Sequence, residues 1–180
     1  SGIHVVPRIR EAKAAGAKLV VLDPRETPLA KQADLHLAVK PGTDVAVALA
    51  VHRFLWNEGH AALDFLAEHA DGWETLRERC QEWTFERAAE LAGIAANDIE
   101  TLARWYAEIS PAVIRVGWGS ERNRNGGSAT AAIMALPAVG GKFCVRGGGY
   151  TQSNSGIWNL DSEGAIAEPE APTRRINMNQ

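Results

Sequence analysis

An α/β fold, with a mostly parallel sheet flanked by helices and a helical insertion at about residues 60–110, is predicted by three features of this chain. A helical pattern over residues 5–15 hands over, through Gly16, to the apolar run Lys18 to Leu22, which is the order of half a βαβ unit. That run is continuous rather than alternating, as expected of a strand covered on both faces. Three strand candidates each end in a turn of Gly, Pro, Asp and polar residues, the position at which open parallel sheets bind ligands.

Taken in order, Val5, Ile9 and Ala12 recur at helical spacing, and Pro7 is tolerated in the first turn because its missing N–H is not needed there. Gly16 is the expected C-terminal cap. The strand Lys18 to Leu22 ends at Asp23-Pro24-Arg25, and the strand that would precede the first helix of a βαβ unit is missing from the chain. Pro28 to Gln32 has room for one or two helical turns. Asp34 to Val39 alternates, with Leu35, Leu37 and Val39 on one face, and reads as a second strand. His36 is expected to be hydrogen-bonded on the strand surface, because no second His or Cys lies at metal spacing. Thr43 or Asp44 is the natural N-cap of a helix over Val45 to Leu55 that is apolar on nearly all sides and so deeply buried, with His52 structural inside it.

The insertion is a run of helices. Ala61 to Glu68 is one, and Trp73 to Trp83 a second, with Trp73, Leu76, Cys80 and Trp83 on one stripe. Thr84 caps a third over Phe85 to Ala92, closed by Gly93. Asn97 to Glu100 has the spacing of a capping box and starts a fourth, striped by Ile99, Leu102, Tyr106 and Ile109 and stopped by Pro111. The aromatic residues here belong to a core. Ala112 to Val116 is the third strand, Ser120 to Gly127 a polar loop, Ser128 to Ala138 a helix of small residues, and Gly140 to Gly149 a glycine-heavy loop. After Tyr150 the chain reads as polar and irregular. Residues 1–150 are thus one domain and 151–180 a tail leading toward another.

The totals bound what this fold does. A chain of 180 residues with 46% hydrophobic and 23% charged residues is ordinary globular material. The formal charge of -3 leaves no electrostatic footprint for nucleic acid or an anionic membrane. The cysteines, Cys80 and Cys144, make neither a disulfide framework nor a zinc site and are read as small apolar fillers. No run approaches a transmembrane helix and no signal peptide opens the chain. Ser1 starts almost directly on a helix without a Met, and the chain is expected to be an internal fragment.

Chemistry concentrates in the three turns. Asp23 ends a strand with a carboxylate that suits ribose hydroxyls. Asp44 is an acceptor-only group that two donors on one edge, such as guanine N1 and N2, would satisfy. The amides opening the following helix and the turn Gly117 to Arg122 suit phosphate or a polar ring, and Arg122 and Arg124 supply donors for a pyrophosphate. Taken singly, each turn is also ordinary capping and turn chemistry. There is no G-x-G-x-x-G after the first strand and no G-x-x-x-x-G-K-S/T, so NAD and P-loop readings lose their main support.

Three segments in order, HVVPRIREAKAAGAKLVVLDPRETPLAKQADLHLAVKPGTDVAVALA, TFERAAELAGIAANDIETLARWYA and VGWGSERNRNGGSATAAIMALPAVGGKFCVRGGG, resemble the molybdopterin oxidoreductase family, of the dimethyl sulfoxide reductase and formate dehydrogenase type. The likeness runs over roughly residues 3–155. It implies a Rossmann-like domain, present in part. It further implies a molybdenum or tungsten pterin cofactor extended by guanosine dinucleotide. Asp23, Pro24 and Arg25 would meet the guanosine end, and Gly42, Thr43 and Asp44 the guanine. Gly117, Trp118, Gly119, Ser120, Glu121 and Arg122 would approach the pterin or pyrophosphate. Ser120-Glu121 departs from the apolar residue and Gln common in the family, and a carboxylate there would repel phosphate and turn to a pterin N–H or to solvent.

The family's catalytic parts are not matched. The resemblance implies a 4Fe-4S cluster and a metal ligand in a missing N-terminal part, and electron-transfer subunits as partners of the parent enzyme beside its remaining domains. The fragment alone would be inactive. A cytoplasmic compartment is favoured, with a periplasmic one open if the parent carries an export signal. Two other readings stand beside this one: a cofactor-less structural subunit of a redox complex with the same fold, and a generic nucleotide-binding module.

Overall fold

The computed structural model describes residues 5–143, 145–152, 161 and 164. It is α/β with parallel strands, as expected. Helix α1 spans Val6–Ala14 with Pro7 in its first turn, and leads through Gly16 to strand β1, Val20–Leu22. Strand β2, Leu35–Leu37, pairs with β1 in parallel, Val20 opposite Leu35 and Leu22 opposite Leu37. The crossover between them is pinned by Asp34. Its carboxylate accepts from the Leu19 amide and the Lys13 ammonium, both at 2.8 Å. The Lys13 hydrogen bond, then the Leu19 amide, holds the Asp34 carboxyl below its ordinary value. The predicted helical turn is a 3-10 turn at Ala30–Gln32.

β1 is not the buried strand that its apolar run predicts. Leu22 is 40% exposed, and α1 contributes no buried residue. Among the described residues β1 pairs on one edge only, with Val20 packed against the core and Leu22, two residues on along the same face, beyond its cover.

Helix α2, Asp44–Asn57, is the centre of the molecule. One side of it packs with Leu37, Val39, Ala88, Ala92 and Ile99, and the other with Leu66, Cys80, Ala103, Leu136 and Val139. Two apolar clusters therefore share one helix, which is why its sequence is apolar nearly all round. His52 is fully buried in it, as the structural role predicts, and its Nε2–H donates to the Ala132 carbonyl at 2.8 Å.

The insertion holds four helices: α3 Leu63–His69, α4 Trp73–Cys80, α5 Phe85–Ala92 and α6 Ala96–Glu108. The Thr84 cap forms, its Oγ1 accepting from the Arg87 amide at 3.2 Å. Two expectations fail locally. α4 stops at Cys80, three residues short of Trp83, whose ring is instead covered by the Arg87 guanidinium at 4.6 Å. The capping box does not form, because α6 starts one residue before Asn97, at Ala96, with Ala95 in the cap position. Glu100 then pairs with Arg104, one turn on, at 2.7 Å. Cys80 is a buried filler, and burial pushes its thiol up to about 11. Cys144 lies outside the described residues.

Strand β3, Val113–Val116, is followed by helix α7, Gly126–Val139, and strand β4, Gly149–Gln152. β3 and β4 are parallel, with Val116 opposite Gln152, so this is a complete βαβ unit. β4 replaces the irregular reading at Thr151 and Gln152; the rest of the stretch after Tyr150 lies outside the described residues, apart from Asp161 and Gly164. Among the described residues the strands form two two-stranded sheets, and β3 does not pair with β1 or β2. Among the described residues, no helix is long and apolar enough to cross a membrane.

Candidate functional site

The turn after β1 is organised by its aspartate. Asp23 Oδ1 accepts from the Arg25 amide at 2.8 Å, and the Asp23 carbonyl accepts from His36 Nε2 at 2.8 Å. A carbonyl only accepts, so that nitrogen carries the proton. His36 is thus hydrogen-bonded on the strand, as expected, and ties the turn to β2. Pro24 and Arg25 are exposed. Arg25 forms no ion pair among the described residues.

The turn after β2 sits against the loop after β3. Gly42 has φ +85°, a conformation that residues with a Cβ rarely adopt. A Cβ at Gly42 would lie 3.5 Å from Asn125 Oδ1 and 3.6 Å from Asn123 Oδ1. Asn125 Nδ2 donates to the Gly42 carbonyl at 2.8 Å. Two turns that belong to different sheets are thereby joined at the carboxyl ends of their strands. Thr43 takes the N-cap position, but its hydroxyl donates back to the Lys40 carbonyl at 2.7 Å and caps nothing. Asp44 is then the acidic residue of the first turn of α2, where the helix dipole favours its charge. Its carboxylate has no hydrogen-bond partner among the described residues.

The third turn is a tight cover over the start of α7. Gly117, Trp118 and Gly119 are exposed, and Ser120–Arg122 is a 3-10 turn. The polar loop predicted over 120–127 is therefore half ordered, and α7 begins at Gly126 instead of Ser128. A Cβ at Gly126 would fall 2.5 Å from the Ser120 carbonyl oxygen and 2.9 Å from Glu121 Cα, so only glycine lets the turn close on the helix. Ser120 Oγ is buried without a hydrogen-bond partner. Glu121 Oε1 accepts from Gln152 Nε2, and the Tyr150 hydroxyl donates to Gln152 Oε1 at 2.7 Å. Burial, and then the Glu121 charge, push the Tyr150 phenol upward. Arg122 and Arg124 are exposed and unpaired among the described residues.

Of the twelve residues singled out from sequence, the last nine share one assembly through Asn125 and the α7 start. Asp23, Pro24 and Arg25 are tied instead to β2, through the His36 bond to the Asp23 carbonyl. Sequence reasoning passed over Asn123, Asn125, Tyr150 and Gln152. The two asparagines stood in the string RNRNGG, where the arginines drew the attention; the other two lay in a strand without an apolar pattern. The set holds three carboxylates, three free guanidinium groups and an unpartnered hydroxyl, a complement for a ligand with both polar ring edges and phosphates. Among the described residues there is no cluster of three His, Cys, Asp or Glu placed to hold a metal.

A family model described as molybdopterin oxidoreductase matches residues 2–177. A probable oxidoreductase, YoaE of Bacillus subtilis, is 35% identical over 184 aligned positions, which take in 100% of this chain and 27% of the relative. Formate dehydrogenase H of Escherichia coli is 30% identical over 139 positions, covering 77% of this chain and 19% of that protein. Among solved structures, acetylene hydratase from Pelobacter acetylenicus superimposes with a TM-score of 0.72 at 35% identity, over 76% of this chain and 19% of that one. The chain thus spans about a quarter or less of these relatives.

Proposed function

This chain belongs to the molybdopterin oxidoreductase family, and on that premise we propose that it cradles the guanosine dinucleotide part of a molybdenum or tungsten pterin cofactor within a larger redox enzyme. The observation that carries the reading is the Asn125 to Gly42 hydrogen bond, which puts the turns after β2 and β3 on one continuous edge. The residues on that edge fit the group. Asp44 is unpartnered and offers two acceptor oxygens to the N1 and N2 donors of guanine. Asp23 keeps Oδ2 for ribose hydroxyls. Arg25, Arg122 and Arg124 complement a pyrophosphate, and the buried Ser120 hydroxyl lacks a partner that a polar ligand would supply.

Bound there, the pterin-held metal supplies electron-pair or oxygen-atom transfer in the parent protein. The residues of this chain do not take part in that step; they hold and orient the cofactor's tail. A 4Fe-4S cluster, the metal ligand, the substrate funnel and the electron-transfer partners belong, on this reading, to other parts of the parent, and the chain alone has no turnover.

The test is the full-length protein, assayed for metal, pterin and guanine nucleotide in stoichiometric amounts. Asp44→Ala is expected to lower the guanine nucleotide content by roughly tenfold or more, the loss of a charged hydrogen-bond pair. Wild-type protein free of pterin, or an Asp44→Ala protein that keeps its full guanine content, would overturn the proposal.

A further inference from the structure

An open cleft lies at the opposite ends of α2 and α7 from the three turns. Each of these helices has 14 residues, a length of roughly 20 Å, and both start at the edge where Asn125 meets Gly42. Beyond the end of α7, Ala62 caps α3, and its amide donates to the Val139 carbonyl at 2.8 Å. Between α3 and that end the surface opens into a cleft of about 550 Å³, lined by Ala61, Leu63, Phe65 and Gly141, with Asp64 as its charged member. Leu63 is 50% exposed. The core makes no use of it, since Leu66, three residues on, is the α3 side chain that enters the apolar cluster.

The charge around this cleft has one sign. Residues 60–110 hold half of the chain's 22 Asp and Glu but four of its 19 Lys and Arg. Asp64 and Glu68 stand one turn apart on α3, as Glu74 and Glu78 do on α4, so each pair shares a helix face. Glu74 and Glu78 line a second cleft with Trp73 and Asn57, the last residue of α2. Arg77 in that cleft lies over the Trp56 ring, 5.8 Å from its centroid, and forms no ion pair among the described residues. Asp64, Asp71, Glu74 and Glu78 are exposed and have no hydrogen-bond or ion-pair partner among the described residues. Glu68 meets only the neighbouring His69, at 3.7 Å.

These charges decide what can cover the apolar residues. A neighbour without cations would strip water from unpaired carboxylates, which costs more than the burial of Leu63 returns. An occupant must therefore bring positive charge beside its apolar group. An apolar centre inside a charged rim is also the anatomy of an interface that forms and dissolves, since permanent interfaces are more apolar.

We infer that the cleft between α3 and the end of α7 docks a separate protein chain through a basic amphipathic helix. Its apolar face covers Leu63 and Phe65, and its Lys or Arg residues meet Asp64 and Glu68. Glu74 and Glu78 on α4 steer its approach. The edge joined by Asn125 and Gly42 stays open, so this inference goes beyond the cofactor reading and does not depend on it.

The test uses the full-length protein and a fluorescent synthetic helix of Leu and Lys, with its Leu and Glu counterpart as control, read by anisotropy. Wild type should bind the Leu–Lys helix and not the control, with affinity falling several-fold from about 50 to about 200 mM salt. Asp64→Asn with Glu68→Gln, and Leu63→Ala alone, should each weaken binding roughly fivefold to tenfold with unchanged thermal melts. Glu11→Gln with Glu90→Gln removes the same charge from α1 and α5 and should leave binding unchanged. Failure of wild type to bind, or equal loss in both double variants, would overturn the inference, the second outcome marking attraction to bulk charge alone. Leu63→Cys, treated with a maleimide, separates the other occupants. A thiol closed to the reagent in the monomer would mean that the parent's own chain fills the cleft. A thiol that closes as the protein self-associates on concentration would mean that a second copy does. Either result would overturn the inference, and a thiol open in both states but protected by the Leu–Lys helix would support it.

Discussion

The buried imidazole of His52 makes the stability of this chain sensitive to mild acid. His52 is 0% exposed in the seam between α2 and α7. Its Nε2–H is spent on the Ala132 carbonyl, and Nδ1 has no partner. Protonation would place a second N–H and a full charge at Nδ1 among apolar neighbours. Burial therefore pushes the His52 pKa down to about 4, and the bond to Ala132 only partly resists it. The folded pKa lies below the unfolded one, near 6.5, so the unfolded chain takes up the proton first as pH falls. The stability tied to this group is whole above about pH 6.5, is lost as pH falls toward about 4, and loses nothing more below that. Two and a half pKa units correspond to about 3 kcal/mol in full, of which about 2 kcal/mol is gone at about pH 5. Asp34 and Glu86, with carboxyls held below their ordinary values, lose their contributions at lower pH and do not mimic this window.

The assay is urea unfolding of this chain over that pH range, for wild type and His52→Gln. Glutamine keeps a donor for the Ala132 carbonyl but does not titrate. The difference in unfolding free energy between the two proteins should shrink by about 2 kcal/mol between about pH 7 and pH 5. A pH-independent difference would show that His52 is not held neutral in the folded chain, and the reasoning from burial would be wrong.

Other variants address the site and its supports. Gly126→Ala pushes a Cβ into the Ser120 carbonyl, 2.5 Å away, and a backbone atom cannot swing aside. It should destabilise the chain by about 1–3 kcal/mol in a denaturation curve and should lower cofactor content in the full-length protein. Lys142 is 4% exposed, donates to the Ile109 carbonyl at 3.1 Å and the Ala107 carbonyl at 3.4 Å, and has its pKa lowered by burial. Lys142→Met keeps the stem but leaves those carbonyls at the end of α6 without a donor, an expected loss of about 1–3 kcal/mol in the same measurement.

Sequence by itself determined most of the local structure. Thr84 and Gly93 framed α5, and the all-round apolar face of α2 announced a helix buried between two clusters, because those signals act within one or two turns of chain. The DPR, PGTD and GWGSER turns were visible as strand-end chemistry for the same reason. The capping box was misplaced because a side-chain cap competes with neighbouring starts one residue away, and packing of α6 on α2 and α5 decides among them. Strand β4 was not legible: GYTQ has no apolar alternation, and its pairing comes from β3, more than thirty residues upstream.

Only the tertiary structure decided how the turns meet. Asn125 reaches Gly42 across 83 positions, and Gln152 reaches Glu121 across 31. No local preference encodes such contacts; they exist because α2 packs on α7 and β4 lies beside β3, and that packing is set by the shared core. The sequence named the acceptors and donors of the edge, and the fold chose which of them are spent on one another and which stay unpaired among the described residues.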